Sequence, residues 1–179
     1  FVDSILNNPP DGIEVDVIDA YVNDAKNRAD VDRMAEQKEK TGVFSGHYVT
    51  NPATGEPIPV WIADYVLMGY GHGAIMAVPA HDQRDHQFAN TFSIPIREVV
   101  QPTDDTHEDC FSGEGTAVQS SSDTVTIDGL PTAEAKQTII NWLETSNLGC
   151  AKVNYRLRDW LFSRQRYWGE PFPIVFDES

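Results

Sequence analysis

Long apolar runs are missing from this sequence. No stretch approaches the roughly 18–20 apolar residues that a membrane-spanning helix needs, so no membrane partner is expected. Cysteine is scarce too. Cys110 and Cys150 stand far apart and in no metal-ligand spacing. That argues against a disulfide framework or a zinc ribbon and fits two reduced thiols in a cytoplasmic protein. Basic charge is the third shortage: 13 Lys and Arg face 28 Asp and Glu, for a net charge of −15. Such a chain is a poor global match to a polyanion. The few basic residues are unevenly placed, with Lys152, Arg156, Arg158, Arg164 and Arg166 gathered in one C-terminal stretch. The first forty residues hold ten acids. Any nucleic-acid contact is therefore expected near the C-terminal end, and a solvated acidic face with ordinary surface arginines is the alternative. Phe1, Val2, Asp3 and Ser4 are not expected to belong to a signal peptide, since they give neither a basic start nor a following apolar stretch. The missing initiator Met suggests a piece of a longer chain.

What remains is the composition of a globular domain, 40% hydrophobic and 23% charged over 179 residues, long enough for one real core. The turn signal NPPDG at residues 8–12 precedes apolar residues at helical spacing (Val15, Ile18, Tyr21, Val22, Ala25), which predict a helix over 14–27. Asp30 can cap a second helix that ends near Gly42. The pattern then switches to strands over 43–49 and 59–67, joined by the hairpin loop NPATGE at residues 51–56. Tyr70, Gly71, His72 and Gly73 read as a loop, and residues 74–78 as a short buried strand stopped by Pro79. Asp82 can cap a helix from Gln83 to about Phe92, with Phe88 and Ala89 facing inward. A further short strand is expected over 96–100. Residues 101–129 are polar and turn-rich, and the segment is expected to be mobile. Thr132 opens a last helix, with Ile139, Ile140, Trp142 and Leu143 on its core face and Gly149 as its stop. Strands mixed with helices on one core predict an α/β (mixed α+β) domain with a barrel-like β core flanked by helices.

The run GHGAIMAVPAHDQRD, residues 71–85, carries the most chemistry. It is a glycine loop, an apolar segment, and then Asp82 and Asp85 at the start of a helix. Three positions apart in a first turn, the two carboxylates are neighbours on one face. The positive end of the helix dipole favours negative charge there. Two fixed carboxylates beside a glycine-opened backbone make a seat for a cationic group such as an α-ammonium. Met76 and Val78 are then placed to line an apolar pocket for the rest of that ligand. The plainer alternative makes Asp82 a helix cap, pairs Asp85 with Arg84 or another neighbour, and leaves the glycines as a turn. A third reading uses His81, Asp82, Asp85 and His86 as metal ligands. One helix turn cannot aim all four inward, so no metal site is assigned.

The same run resembles the editing-pocket motif of bacterial leucyl-tRNA synthetases. Residues 39–71, EKTGVFSGHYVTNPATGEPIPVWIADYVLMGYG, resemble the segment before it in that family. Residues 155–175, YRLRDWLFSRQRYWGEPFPIV, resemble the stretch that leads back to the synthetic domain. The match covers nearly the whole chain in the family's order. The resemblance implies the editing-domain fold shared by the Val, Ile and Leu class I synthetases, with residues 1–154 as editing domain and 155–179 as a linker strand returning to a Rossmann-type synthetic domain. The family's threonine-rich motif should lie just before Phe1 and is missing here. His72 also stands where many members have Thr.

The resemblance further implies a parent enzyme, leucine-tRNA ligase, that uses ATP and Mg in a synthetic domain whose signatures are absent here; no cofactor is implied for this region. Its synthetic pocket cannot strongly reject near-isosteric amino acids, because one methylene is worth only about 1–3 kcal/mol. A second, hydrolytic site removes norvaline, isoleucine or methionine from the 3′ end of tRNA(Leu). In that implied site Asp85 and Asp82 are the catalytic pair, Asp85 holding the ammonium and Asp82 supporting it or orienting a water. Tyr70 lies near the terminal adenosine. Gly71, His72, Gly73, Met76, Val78 and His81 contribute to substrate binding, and Arg164 and Arg166 face tRNA or the synthetic domain. With one pocket wall missing, this chain alone is expected to be a weak or inactive deacylase. The competing classes are a non-catalytic module that binds aminoacyl or nucleotide ends, and the His/Asp metal hydrolase.

Overall fold

A computed structural model of the chain describes residues 2–7, 9–10, 12–27, 40–66, 73–103 and 109–153. Helix α1 (Val2–Asn7) and helix α2 (Val15–Lys26) open the chain. Ile18 and Val22 of α2, one turn apart, are buried with Ile5 of α1. Val2, Leu6, Ile13, Val43 and Ile62 pack around them. Burying side chains of this kind contributes about 1.5–3 kcal/mol each. The polar tip of Tyr21 ties α2 to two later segments of the chain: its hydroxyl donates to the Thr41 carbonyl at 2.9 Å and accepts from the Asp64 N–H at 2.9 Å.

Strands β1 (Gly42–Thr50) and β2 (Pro57–Ala63) form an antiparallel hairpin with Phe44 opposite Trp61. Its loop is an Asx turn, with the Asn51 side chain accepting from the Ala53 N–H at 3.0 Å. The register shifts between Phe44 and Tyr48, a bulge centred on Gly46 at φ +77°. A Cβ there would collide with the Ile13 side chain, so glycine serves both the left-handed backbone and the close approach. Helix α3 (Gln83–Thr91) lies against this hairpin. Trp61 of β2 meets Phe88 and Phe92 with ring centroids 5.7 and 4.9 Å apart, and Tyr65 meets Phe88 at 5.6 Å.

Strands β3 (Val100–Pro102) and β4 (Gly115–Ala117) pair antiparallel as a second small sheet. Helix α4 (Thr132–Thr145) follows. Its start is tied to β4, because the Thr132 hydroxyl accepts from the Gly115 N–H and donates to the Gly115 carbonyl, both at 2.9 Å.

The mixed α/β class and the hairpin are as expected, and α2 and α3 match within a residue or two. Among the described residues the sheets are two separate antiparallel pairs, without a closed barrel. Several other expectations are corrected. Strand β2 stops at Ala63, where residues 64–66 turn away. Residues 74–78 form no strand. Residues 96–99 also stay outside the ladder. The N–H groups of Val99 and Val100 go instead to a histidine ring nitrogen, at 3.0 and 2.9 Å. Residues 109–129 contain β4 and a hydrogen-bonded turn rather than bare loop. Of the core face foreseen for α4, Ile139, Ile140, Trp142 and Leu143 are half-buried and only Ala135 of that helix is fully buried. That helix is stopped by Asn147 at φ +56°, not by Gly149. Leu148 N–H closes the end on the Leu143 carbonyl at 2.9 Å, a left-handed cap that Asn tolerates. The second helix expected after Asp30 and the linker strand over 155–179 fall outside the described residues.

Candidate functional site

Helix α3 positions the site. Asp85, Phe88, Ala89 and Phe92 recur at helical spacing, so the face that carries the aromatic rings also carries a carboxylate. Phe88 and Ala89 are buried, and Asp85 is buried with them at 6% exposure. A carboxylate taken out of water needs partners. Asp85 Oδ1 accepts from the Tyr65 hydroxyl at 2.8 Å, and Oδ2 accepts from the Val78 N–H at 2.8 Å. Both donors are neutral. Among the described residues no Lys or Arg forms an ion pair with Asp85. Burial first, and then the bond to Asp85, push the Tyr65 hydroxyl well above the ordinary tyrosine range, so it stays a donor at neutral pH. Lys40 Nζ stands 5.7 Å from the centre of the Tyr65 ring.

Asp82 does what its position at a helix start predicts. Its Oδ1 accepts from the N–H groups of Arg84 at 2.9 Å and Asp85 at 3.2 Å. Such a cap is worth about 1 kcal/mol. Its Oδ2 lies 3.6 Å from the Arg84 guanidinium in an exposed pair.

His81 is engaged on both ring nitrogens. Nδ1 lies 2.7 Å from the Phe111 carbonyl and Nε2 accepts from the Val99 and Val100 N–H groups. That set of partners requires a neutral ring with its proton on Nδ1. His81 thus clamps the 99–100 and 111 segments to the start of α3. His86 Nδ1 lies 3.0 Å from the Pro79 carbonyl, which places its N–H there. His81 is thus engaged with backbone and Asp82 Oδ1 with its cap. Among the described residues no group of three or more His, Cys, Asp or Glu is placed to hold a metal ion.

Gly73 takes a left-handed conformation, φ +75°, as a loop glycine should. The expected burial of Met76 and Val78 is corrected: they are 63% and 42% exposed. The cause is local. The Val78 N–H is drawn to Asp85, and the Val78 carbonyl accepts from His81 and Asp82 N–H groups at 2.9 and 3.0 Å. The segment is thereby bent into the turn before α3 instead of pairing as a strand. The structure brings Asp82, Asp85, Val78 and His81 together. Tyr70, Gly71, His72, Arg164 and Arg166 lie outside the described residues. The residue that sequence reasoning missed is Tyr65. No local signal marked it, because β2 ends at Ala63 and Tyr65 lies in the turn beyond it.

Comparison with known proteins adds three findings. The family profile described as "Leucyl-tRNA synthetase, editing domain" matches residues 13–144. A leucine–tRNA ligase of Streptomyces griseus is 57% identical over 171 residues, covering 92% of this chain, and one of Chlorobium limicola is 54% identical over 163 residues, covering 90%. The chain spans only 18% and 20% of the lengths of those two relatives. Among solved structures, a ternary complex of Agrobacterium radiobacter K84 agnB2 LeuRS with tRNA and LeuAMS superposes with a TM-score of 0.58 at 28% identity, over 80% of this chain and 15% of that one.

Proposed function

We propose a function from one premise: the chain belongs to the leucyl-tRNA synthetase editing-domain family. The function is hydrolysis of the ester that joins a wrong amino acid to the 3′-terminal adenosine of tRNA(Leu). Norvaline, isoleucine and methionine are the amino acids removed. The enzyme that carries this domain joins leucine to tRNA(Leu) with ATP and Mg in a separate synthetic domain of the same chain, in the cytoplasm. The barrel-like core implied by the family resemblance belongs to the same proposal.

One observation carries this reading. Asp85 is a buried carboxylate whose described partners, Tyr65 and Val78, are neutral. Neutral donors orient a buried charge without cancelling it. A cation supplied by the substrate completes the pair, and every aminoacyl ester carries one in its α-ammonium. The exposed apolar side chains of Val78 and Met76 stand in the segment that Asp85 holds by its backbone, available to the amino acid's side chain. The pair of contacts fixes the ester while water attacks. Orientation and donors aimed at the developing oxyanion supply the rate, with no nucleophilic side chain and no cofactor.

The test uses the full-length ligase carrying this domain. Asp85→Ala is expected to slow deacylation of isoleucyl-tRNA(Leu) by roughly 100-fold or more, the scale of losing one partner of a buried charge pair. Leucylation should stay near wild type, since the two sites are separate. Deacylation at the wild-type rate would contradict the assignment. A raised KM with unchanged kcat would mean that Asp85 contributes binding alone and no orientation of the ester.

A further inference from the structure

The hydroxyl of Tyr65 reaches Asp85 across 20 residues of sequence and has no role in the proposed hydrolysis. Its ring is fixed independently, packed on Phe88 with Lys40 over it. The hydroxyl therefore arrives at the carboxylate from a side chain that is already held. A rigid donor of this kind selects one rotamer of its acceptor. The Val78 N–H, in the turn that leads into α3, takes the other oxygen at 2.8 Å. Between them the two donors set the plane of the carboxylate.

We infer that Tyr65 is a positioning residue for α-ammonium recognition, acting through Asp85 without touching the substrate. Each Asp85 oxygen spends one acceptor site on a protein donor and keeps another for the ammonium. Tyr65 decides where that second site points. The inference rests on the ammonium-binding role proposed for Asp85, so the experiment separates the two.

The probes are two amide isosteres of isoleucyl-adenosine, one bearing the α-amino group and one lacking it. Their affinities are measured by calorimetry on the full-length ligase. The wild type should favour the amino-bearing probe. Asp85→Ala should abolish that preference. Tyr65→Phe, which keeps the ring and its packing, should narrow the preference about tenfold, the size expected for one hydrogen bond to a charged group. It should leave the affinity for the desamino probe unchanged. The double variant should lose no more than Asp85→Ala alone. A merely structural role for Tyr65 would weaken both probes equally and would overturn the inference. Wild-type preference in Tyr65→Phe, with preference lost in Asp85→Ala, would also overturn it while leaving Asp85's role intact. Preference retained in Asp85→Ala would remove the premise itself.

Discussion

Asp85 accepts one hydroxyl, from Tyr65, and one backbone N–H, from Val78, a donor on each oxygen. Asp128 accepts one hydroxyl, from Ser121, and one backbone N–H, from Ser120, again a donor on each oxygen at 2.6 Å. The donor sets match, and the surroundings do not. Asp128 is exposed in the turn between β4 and α4, where both donors come from residues within eight positions of it. Asp85 is buried, and its hydroxyl donor, whose ring packs on Phe88, comes from 20 residues away. In water, such bonds only close a local turn. Under burial the same bonds leave a fixed charge that water no longer satisfies, which on the proposed function is the charge that meets a substrate cation.

The comparison can be broken from the buried side first. His81 ties three backbone groups, at Phe111, Val99 and Val100, to the turn that feeds α3. His81→Ala should cost about 1–3 kcal/mol of stability through unpaired backbone groups. It should also slow deacylation, because the turn it holds carries the Val78 N–H. His81→Gln can restore an acceptor near the Nε2 position and His81→Asn a donor near Nδ1, so each should recover part of the loss. Urea unfolding and deacylation rates on the same proteins check this. Stability equal to wild type in His81→Ala would show the clamp to be idle.

The exposed side gives a smaller effect. Hydrogen bonds from Ser121 and then Ser120 hold the Asp128 carboxyl below its ordinary pKa. A lowered native value means stability that is present above the unfolded carboxylate pKa, near 3.9. That stability is lost as pH falls through the lower native value. Asp128→Asn should therefore melt slightly below wild type at pH 7, and the two curves should converge in stronger acid. A gap that widens on acidification would reverse the sign.

The two carboxylates were not equally legible in the sequence. Asp85 could be found because Asp82 marks a helix start and the 85, 88, 89, 92 spacing marks its buried face. Those are local signals within one element. Its partners could not be assigned, since the Tyr65 contact depends on how β2 and α3 pack. Residues 74–78 misled for a related reason: an apolar run reads as a buried strand, but its N–H at Val78 was claimed by a side chain. His81 was placed at the substrate by the resemblance alone, and its backbone role was not legible because its partners lie 18 to 30 residues onward. The turn around Asp128 was read only as polar chain. Its order comes from side chain to backbone bonds that Ser- and Asp-rich sequence permits without specifying.

On the proposed function, burial rather than the donor set turns Asp85 into a cation seat. Asp85→Asn and Asp128→Asn remove the charge with little change of shape. Both are made in the full-length ligase, which is supplied with isoleucine, ATP and tRNA(Leu), and accumulation of isoleucyl-tRNA(Leu) is followed over time. Asp85→Asn is expected to accumulate the mischarged product while Asp128→Asn stays as clean as wild type. An Asp85→Asn enzyme that keeps its tRNA free of isoleucine would contradict that role for Asp85.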